Sequence, residues 1–391
     1  MSARAWPRPP VPDPPASALS PLTPQPAGRK LDGMPPLRVS VIVPVYNGRL
    51  QLPRCLEALR VSTFADFEVI VVDDCSTDNT RNIAENFGAR YLRTARNIGP
   101  GGGRNLGAAH ARGEILLFVD ADVVVAPGTL GYVAEDFSRD PGLAAMFGSY
   151  DQSPAWPDFL SQYKNLMHHY VHQTAAERAV TFWAGCGAVR AEVFRRFGGF
   201  DTEKYPDPSV EDIELGYRIS ISGGKILLDK RVQVKHLKKW TVRGLLKADI
   251  WLRAIPWTRL ILETRNLPRD LNLTHTAQAS ALLVGLLFAG LPLLPLALAG
   301  FLPARISPVL LGGSLLAIVG LLLALNWRVY AWFASCRGPL FTTGAVAAHW
   351  VYYFYSGCVF ALCLAEHFVR PRREAGIAVA PQAAGRPEPH A

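Results

Sequence analysis

The stretch Gly113–Val125, with the sequence GEILLFVDADVVV, decides the fold of this chain. Ile115–Val119 is an uninterrupted apolar run, too short for a capped helix and typical of a strand that is covered on both faces. Two carboxylates, Asp120 and Asp122, follow it directly. Ligands bind at the carboxyl edge of open α/β sheets, and two oxygen ligands there suit Mg²⁺ or Mn²⁺ with a phosphorylated substrate. An isolated Asp-x-Asp is more often a solvated strand end, so the neighbouring segments must decide.

Two earlier predicted strands, Val39–Val43 and one that begins at Phe67, also end in polar or turn residues. The residues that follow these strands are Pro44, Tyr46 and Asn47 after the first, and Asp73 and Asp74 after the second. Helical patterns separate the strands, which predicts βαβ units and a mostly parallel, Rossmann-like sheet in an α/β domain. Three polar clusters at one sheet edge favour a functional site over coincidence.

A glycine-rich stretch, Asn97–Asn105, precedes the central strand. We expect a turn there that leads into a helix at Leu106–Ala111. The stretch has neither the glycine spacing of a dinucleotide-binding motif nor the Gly-Lys-Ser/Thr of a P-loop, so alone it is a weak phosphate signal.

A second set of candidate side chains follows Pro154. His168 and His172 have the i,i+4 spacing of metal ligands on a helix. No Glu-x-x-His partner accompanies them, so an aromatic, partly buried helix from Trp156 to Ala176 is the favoured interpretation.

An acidic pair, Glu211 and Asp212, opens a later predicted helix. The helix dipole favours carboxylates in a first turn, which is the structural explanation, and a general base would also be well held there. Two short strands, Lys225–Leu228 and Val232–His236, are expected to close the domain.

The composition narrows the class of protein. The chain has 391 residues, a formal net charge of +9 and 49% hydrophobic residues. The net positive charge suits binding of nucleotide phosphates or of an anionic membrane surface. The sequence has no zinc-finger, basic-aromatic or basic-helix motif that would point to nucleic-acid binding. The six scattered cysteines fit reduced thiols in a cytosol-facing protein, and the first residues lack the apolar core of a signal peptide.

The rest of the chain predicts tails and a membrane part. Residues 1–36 and 370–391 are expected to be disordered, and residues 240–272 to form a pair of interfacial amphipathic helices broken at Pro256. Tryptophans and cations alternate in this pair: Trp240, Arg243, Lys247, Trp251, Arg253, Trp257 and Arg259. About three spans are predicted within residues 273–369, namely Ala277–Leu302, Pro308–Leu325 and Thr343–Leu364.

The orientation of these spans has two opposing signals. The basic flank before Ala277 predicts a cytoplasmic catalytic domain in a multi-pass inner-membrane or plasma-membrane protein. Three crossings would place Arg370, Arg372 and Arg373 on the other side, against the positive-inside tendency.

Four motifs in this order carry a resemblance to a known family. They are VSVIVPVYN at 39–47, VVDDCSTDNT at 71–80, FVDAD at 118–122 and VEDIELGYR at 210–218. The chain thereby resembles the inverting family 2 glycosyltransferases, which have the GT-A fold. The resemblance covers roughly Arg38 to Trp240 and implies a catalytic domain at 37–239, followed by interfacial helices and an all-α membrane part.

The resemblance also implies residue roles. Asp73 or Asp74 would bind the nucleotide base of a donor that is UDP- or GDP-linked, and Asp120 with Asp122 would form the Asp-x-Asp motif. Asp122 would hold the divalent metal, Mg²⁺ or Mn²⁺, with His236 completing the metal shell. Asp212 would be the general base, and Arg104 would lie near the donor. Processive members carry Gln-x-x-Arg-Trp, whereas this chain has Gln233–Trp240 with the sequence QVKHLKKW, which argues against polymer synthesis.

The sequence therefore predicts a metal-dependent glycosyltransferase of the cell envelope that moves a sugar from a nucleotide to a lipid or lipid-linked acceptor. One alternative is a nucleotidyltransferase, which also pairs carboxylates with a glycine-rich turn but does not need the acidic pair. Another is a membrane-anchored, non-catalytic protein that binds sugar nucleotides. The intact set of Asp120, Asp122, Asp212 and His236 argues against that second alternative.

Overall fold

The computed structural model describes residues 39–265, 271–303 and 306–369. The predicted tails at 1–36 and 370–391, with the terminal arginines, lie outside the described residues. The described chain forms two compact units. The first comprises residues 39–169, Ala184–Ala191 and Asp229–Thr241, and the second comprises Tyr170–Trp183, Glu192–Leu228 and the described residues from Val242 onward.

Strands alternate with helices in the first part of the chain. After residue 241 every described element is a helix. The strands are β1 Val39–Val45, β2 Phe67–Asp73, β3 Arg90–Arg93, β4 Ile115–Val119, β5 Val123–Val125, β6 Leu143–Tyr150, β7 Arg178–Ala179, β8 Cys186–Arg190 and β9 Lys225–His236. The helices are α1 Leu52–Arg60, α2 Thr80–Asn86, α3 Gly99–His110, α4 Thr129–Arg139, α5 Phe159–Thr174, α6 Ala191–Arg196, α7 Glu211–Ile221, α8 Val242–Leu246, α9 Ile255–Thr264, α10 His275–Gly290, α11 Leu293–Leu298, α12 Pro308–Leu325 and α13 Trp327–Val369.

The first unit is built on a sheet with the strand order β3-β2-β1-β4-β8-β6-β9-β5. The four strands from β3 to β4 are parallel, as predicted, and Val39 pairs with both Phe67 and Ile115. The pairings of β8 with β4 and β6, and of β5 with β9, are antiparallel. The sequence analysis did not predict this antiparallel part, because β8 begins with the small residues Cys186, Gly187 and Ala188, which are not typical of a strand.

Two of the parallel strands, β1 and β4, are buried on both faces. Every residue of β1 and β4 is buried, and the side chains of Ile42 and Phe118 are fully inaccessible. Burial of such apolar area stabilises the fold by roughly 25 cal/mol per Å². Because β1, β2 and β4 run in one direction, their carboxyl ends meet at one edge, as the motif argument expected.

The glycine-rich stretch is helical rather than a turn. Helix α3 begins at Gly99, seven residues before the predicted start, because the Asp74 carboxylate accepts hydrogen bonds from the N–H groups of Ile98 and Gly99 at 2.9 Å. Its glycines let the helix lie close to the sheet. A Cβ on Gly107 would be 2.4 Å from Cγ2 of Ile42.

We expect Gly107→Ala to destabilise the protein by about 1–3 kcal/mol, the usual consequence of overpacking a core. The matched control is Gly131→Ala in α4, where an added Cβ meets nothing within 4 Å and the helix should gain about 0.5–1 kcal/mol. Thermal unfolding of both variants checks the prediction. Equal midpoints would contradict the close approach of α3 to β1.

The second unit contains α7 and the helices after residue 241. Strand β7 pairs antiparallel with the start of β9, which is one strand and not the two short strands that the sequence predicted. The charged stretch in the middle of β9 suggested a break. The strand continues there because the Arg231 guanidinium binds both Asp229 and Asp136.

Three helical stretches are long and apolar enough to cross a membrane by length and composition: His275–Leu298, Pro308–Leu325 and Trp327–Val369. Helices α10, α12 and α13 pack around a buried cluster of Val284, Leu287, Leu315, Leu322 and Tyr353. Helix α13 is much longer than the predicted third span. Its backbone breaks at Gly338, whose φ of 81° is left-handed, directly before Pro339.

The predicted interfacial pair is one continuous helical segment. Helices α8 and α9 are joined by a π-helical stretch, Lys247–Ala254, in which the Ile255 N–H bonds to the Ile250 carbonyl five residues earlier. Pro256 lies in the first turn of α9, directly after the π-helical stretch, and the helical segment continues through it without a break. Trp251 in this segment is 61% exposed.

Candidate active site

A cleft opens at the carboxyl edge of the parallel strands in the first unit. Its lining residues are Pro44, Val45, Tyr46, Asn47, Gly48, Gln51, Asp120, Ala121 and Asp122. Two of the three predicted polar clusters, the one after β1 and the one after β4, thus line a common cleft.

The loop after β1 is held in an unusual conformation. Asn47 has a φ of 52°, and its side-chain oxygen accepts a hydrogen bond from the Thr77 N–H at 2.9 Å. The Asn47 N–H donates to the Ser76 hydroxyl, and the Gly48 N–H donates to that of Thr80. These bonds fix the backbone, which leaves the Tyr46 ring 55% exposed beside the cleft.

The carboxylates of Asp73 and Asp74 are buried and engaged within the protein. Asp73 accepts hydrogen bonds from the Ser76 N–H, the Tyr91 hydroxyl and the Arg93 guanidinium. Asp74 caps α3 and also accepts from the hydroxyl of Thr94. The two candidates for base recognition thereby also organise the loops around the cleft.

Asp120 forms an ion pair with Arg104. The Arg104 guanidinium lies 2.7 Å from Oδ1 of Asp120 and is only 5% exposed, while the Asp120 side chain is 36% exposed. Arg104 comes from the part of α3 that the sequence predicted to be a turn.

Asp122 faces His236 at the end of β9. Nε2 of His236 lies 3.4 Å from Oδ2 of Asp122. Nδ1 of His236 lies 2.9 Å from Oδ1 of Asn165, and the Tyr150 ring stacks on the imidazole with 4.4 Å between centroids. Because an amide oxygen only accepts, Nδ1 must carry the proton. In the neutral imidazole, which is the form that binds a metal, Nε2 then directs its lone pair towards Asp122.

This pair fits a divalent metal. Ligand atoms at about 2.1 Å from one ion, on adjacent positions of an octahedron, are roughly 3 Å apart, close to the observed separation. Within residues 39–265, 271–303 and 306–369, no group of three His, Cys, Asp or Glu side chains could hold a metal. Asp122 and His236 would therefore leave several positions to donor oxygens and water, as Mg²⁺ and Mn²⁺ sites for phosphates usually do.

The electrostatics of the edge support an ionised Asp122. Burial alone would raise the pKa of Asp122, but a protonated His236, whose Nε2 then donates to the carboxylate, and the charge of Lys238 hold it below its ordinary value. Beneath the edge, burial and the two aspartates raise the pKa of the Cys55 thiol, which excludes this cysteine as a nucleophile.

Asn165 is a site residue that the sequence analysis missed. It lies on α5, is 1% exposed, and its amide nitrogen donates to the Ser161 carbonyl at 2.8 Å, which fixes its oxygen towards His236. The histidines of the same helix drew attention instead. His168 packs against the Tyr150 ring, and Nδ1 of His169 bonds to the Tyr150 carbonyl, in agreement with an aromatic helix.

We expect Asn165→Leu to weaken Mn²⁺-dependent binding of a nucleoside diphosphate by about 10–100-fold, the usual effect of losing a partner that orients a metal ligand. The imidazole would no longer be held in the Nδ1–H tautomer. Calorimetric titration checks the result, and Gln162→Leu, a partly exposed position on the same helix whose amide donates to the Trp156 carbonyl, is the control. Unchanged affinity in Asn165→Leu would remove Asn165 from the site.

Trp240 is not the interfacial side chain that the sequence predicted. It is 7% exposed in the first unit, and its backbone N–H donates to the Ser161 hydroxyl. The Lys238 ammonium lies 4.4 Å from its ring centroid, which holds that cation near Asp122.

The acidic pair belongs to the second unit and opens α7. Glu211 is 4% exposed and accepts a hydrogen bond from the Ser209 N–H, whereas Asp212 is partly exposed and accepts from its neighbour's N–H. Asp212 is thus the more accessible carboxylate of the pair.

Comparisons with known proteins show similarity that lies mainly in the first half of the chain. Residues 40–198 match the family model of Glycosyl transferase family 2. Poly(ribitol-phosphate) beta-N-acetylglucosaminyltransferase TarS of Staphylococcus aureus is 41% identical over 101 residues, which are 24% of this chain and 18% of TarS. GalNAc(5)-diNAcBac-PP-undecaprenol beta-1,3-glucosyltransferase of Campylobacter jejuni is 30% identical over 118 residues, 29% of this chain and 38% of that protein. The match spans less than two-fifths of either relative's length.

A solved structure extends the likeness to most of the chain. The mannosyltransferase PcManGT of Pyrobaculum calidifontis, in complex with GDP-Man and Mn²⁺, superposes with a TM-score of 0.50 at 19% identity, over 85% of this chain and 87% of that one. At this identity the likeness concerns the fold, which is the GT-A fold that the sequence motifs implied. The chain has this fold, and its residues 40–198 are similar to glycosyltransferase family 2.

Proposed function

We propose that this protein is an inverting, metal-dependent glycosyltransferase that moves a sugar from a nucleoside-diphosphate donor to a lipid or lipid-linked acceptor. The observation that carries the proposal is the pairing of Asp122 with a His236 whose tautomer Asn165 sets, at the edge where the cleft opens. The named relatives support it, since one acts on an undecaprenol-linked substrate by its name and PcManGT was solved with GDP-Man and Mn²⁺.

The chemistry assigns a task to each part. When bound between Asp122 and His236, a divalent cation supplies Lewis-acid stabilisation of charge on the diphosphate. The acceptor oxygen forms a bond to the anomeric carbon while the bond from that carbon to the diphosphate breaks, and the electron pair leaves with the nucleoside diphosphate. Asp212 would take the acceptor proton, and Arg104 would keep Asp120 oriented at the cleft.

The membrane part supports a lipid acceptor. Three stretches are long and apolar enough to span, and the outward side chains of α12 are apolar, with Val309 82% and Leu316 74% exposed. We propose a multi-pass protein whose catalytic domain lies on the cytoplasmic side. An acceptor anchored in the same bilayer is held in place, which replaces a diffusive encounter by orientation.

The test is a transfer assay with the full chain in detergent-solubilised membranes. Radiolabelled UDP- and GDP-sugars are incubated with Mn²⁺ and a total lipid extract, and label is then measured in the organic phase. We expect label in lipid from one donor, together with release of nucleoside diphosphate. Release of labelled sugar 1-phosphate, with the nucleotidyl group on the acceptor, would instead indicate a nucleotidyltransferase, and binding of donors without release would indicate a non-catalytic protein.

A further inference from the structure

The acidic helix α7 is anchored to the helical segment 242–264, which we call the interfacial segment. The Ser209 hydroxyl, two residues before Glu211, donates to the Leu252 carbonyl at 3.1 Å. Nε1 of Trp257 donates to the hydroxyl of Tyr217, two turns into α7, at 3.1 Å. The two bonds join both the entry and the middle of α7 to one stretch of six residues, Leu252–Trp257.

Pro256 makes the first anchor possible. A proline has no N–H, so the Leu252 carbonyl four residues earlier lacks its α-helical partner, and the preceding π-helical stretch accommodates the ring. The Ser209 hydroxyl supplies a donor to that carbonyl. Single-turn π-helical irregularities are frequent at functional sites, and here the irregularity presents an acceptor to the loop that leads into the acidic pair.

The second anchor is buried. Tyr217 is 1% exposed, and Trp257 is partly buried, unlike Trp251 one and a half turns earlier, which is 61% exposed. These two tryptophans of the predicted interfacial pair therefore face different surroundings. A salt bridge between Lys204, in the loop before α7, and Glu263 adds a third link to the interfacial segment.

The interfacial segment is also bonded to helix α13, one of the candidate membrane-spanning helices. Asp249, in the π-helical stretch, is 5% exposed and accepts a hydrogen bond from the Tyr355 hydroxyl at 2.7 Å. Arg259 pairs with Glu366 at 3.0 Å. A continuous set of packed and hydrogen-bonded elements thus connects α13, the interfacial segment and α7.

We propose that the interfacial segment positions the general base: Ser209 and Trp257, through the Leu252 carbonyl and Tyr217, orient the first turns of α7 and with them Asp212. These are positioning residues that act through Asp212. The inference rests on the proposed function, because Asp212 must be the base for its orientation to matter. A small misplacement of a reacting group lowers turnover by up to about 100-fold without changing ligand affinity.

The test compares Ser209→Ala and Tyr217→Phe with wild type in the full-length, detergent-solubilised enzyme. We expect the turnover number to fall about 10-fold in each, with unchanged Mn²⁺-dependent affinity for the nucleoside diphosphate. Ser209→Thr keeps the hydroxyl and should restore turnover. Pro256→Ala gives the Leu252 carbonyl its helical partner back and should reproduce Ser209→Ala. Ser220→Ala is the matched control, since its hydroxyl has no hydrogen-bond partner in the described part of the chain.

A double-mutant cycle separates positioning from general weakening. In the Asp212→Asn background, Ser209→Ala should have no further effect on turnover, because its effect passes through the missing carboxylate. An equal further loss, or full turnover of Ser209→Ala and Tyr217→Phe in a wild-type background, would overturn the inference. Absence of any transfer by wild type, or normal turnover of Asp212→Asn, would reject the proposed function or its base.

Discussion

Replacing Asp122 by alanine is expected to abolish Mn²⁺-dependent binding of a nucleoside diphosphate to this protein. The change removes one of two facing ligands, and His236 would hold the ion alone beside the remaining charge of Asp120. Losing an outer partner of a metal ligand costs about 10–100-fold in affinity, so losing the ligand itself should exceed about 100-fold. Calorimetric titration of UDP and GDP, with Mn²⁺ and with chelator, measures the difference. His236→Ala should weaken binding less if water and Asp120 complete the shell.

The matched control is Asp66→Ala, the same change at the opposite edge of the sheet, because Asp66 precedes β2 whereas Asp122 follows β4. Its affinity should equal that of wild type. Equal affinity of the wild-type protein with Mn²⁺ and with chelator would contradict the metal assignment, whatever the variants do.

Asp212→Asn is expected to lower transfer by about 10²–10⁴-fold, the range for a missing general base, while the affinity for donor stays unchanged. An interaction that is needed only in the transition state lowers turnover without weakening ground-state binding. Single-turnover transfer of labelled sugar to lipid gives the rate, and calorimetry gives the affinity.

Asp207→Asn serves as the control for this variant, since it makes the same change five residues earlier at an exposed position. Near-normal turnover of Asp212→Asn would be informative in a specific way. The acceptor would then carry no proton to remove, and a lipid headed by a phosphate would become the leading acceptor class.

The parallel half of the sheet could be predicted because its signals are local. Ile115–Val119 and its two neighbours are short apolar runs that end in carboxylates, and such runs identify buried parallel strands without any knowledge of the fold. Because parallel strands end at the same edge of the sheet, Pro44 and Asp122 were predicted to lie together, and both line the cleft. His236, by contrast, was identified only through the family resemblance, since no local pattern pairs a strand-end histidine with an Asp-x-Asp more than 100 residues earlier.

The errors came from partners that are distant in sequence. Gly99 starts a helix because the carboxylate of Asp74, directly after β2, accepts its N–H. The charged middle of β9 stays extended because the carboxylate of Asp136 binds the guanidinium of Arg231. Asn165 had no signal of its own, because its role depends on the ring that it meets 71 residues later. Composition and periodicity carry no information on such pairings.

The capping role of Asp74 changes how nucleotide preference should be measured. Its carboxylate accepts three hydrogen bonds from the chain around the start of α3, so Asp74→Ala should lower the unfolding temperature whether or not the residue touches a base. A loss of binding in that variant would report on folding and recognition together. The selectivity for the nucleotide base is better measured by varying the ligand. Nucleoside diphosphates that differ at single positions of the base ring are titrated into the unaltered enzyme. The differences in affinity then show how much each hydrogen-bonding group of the base contributes.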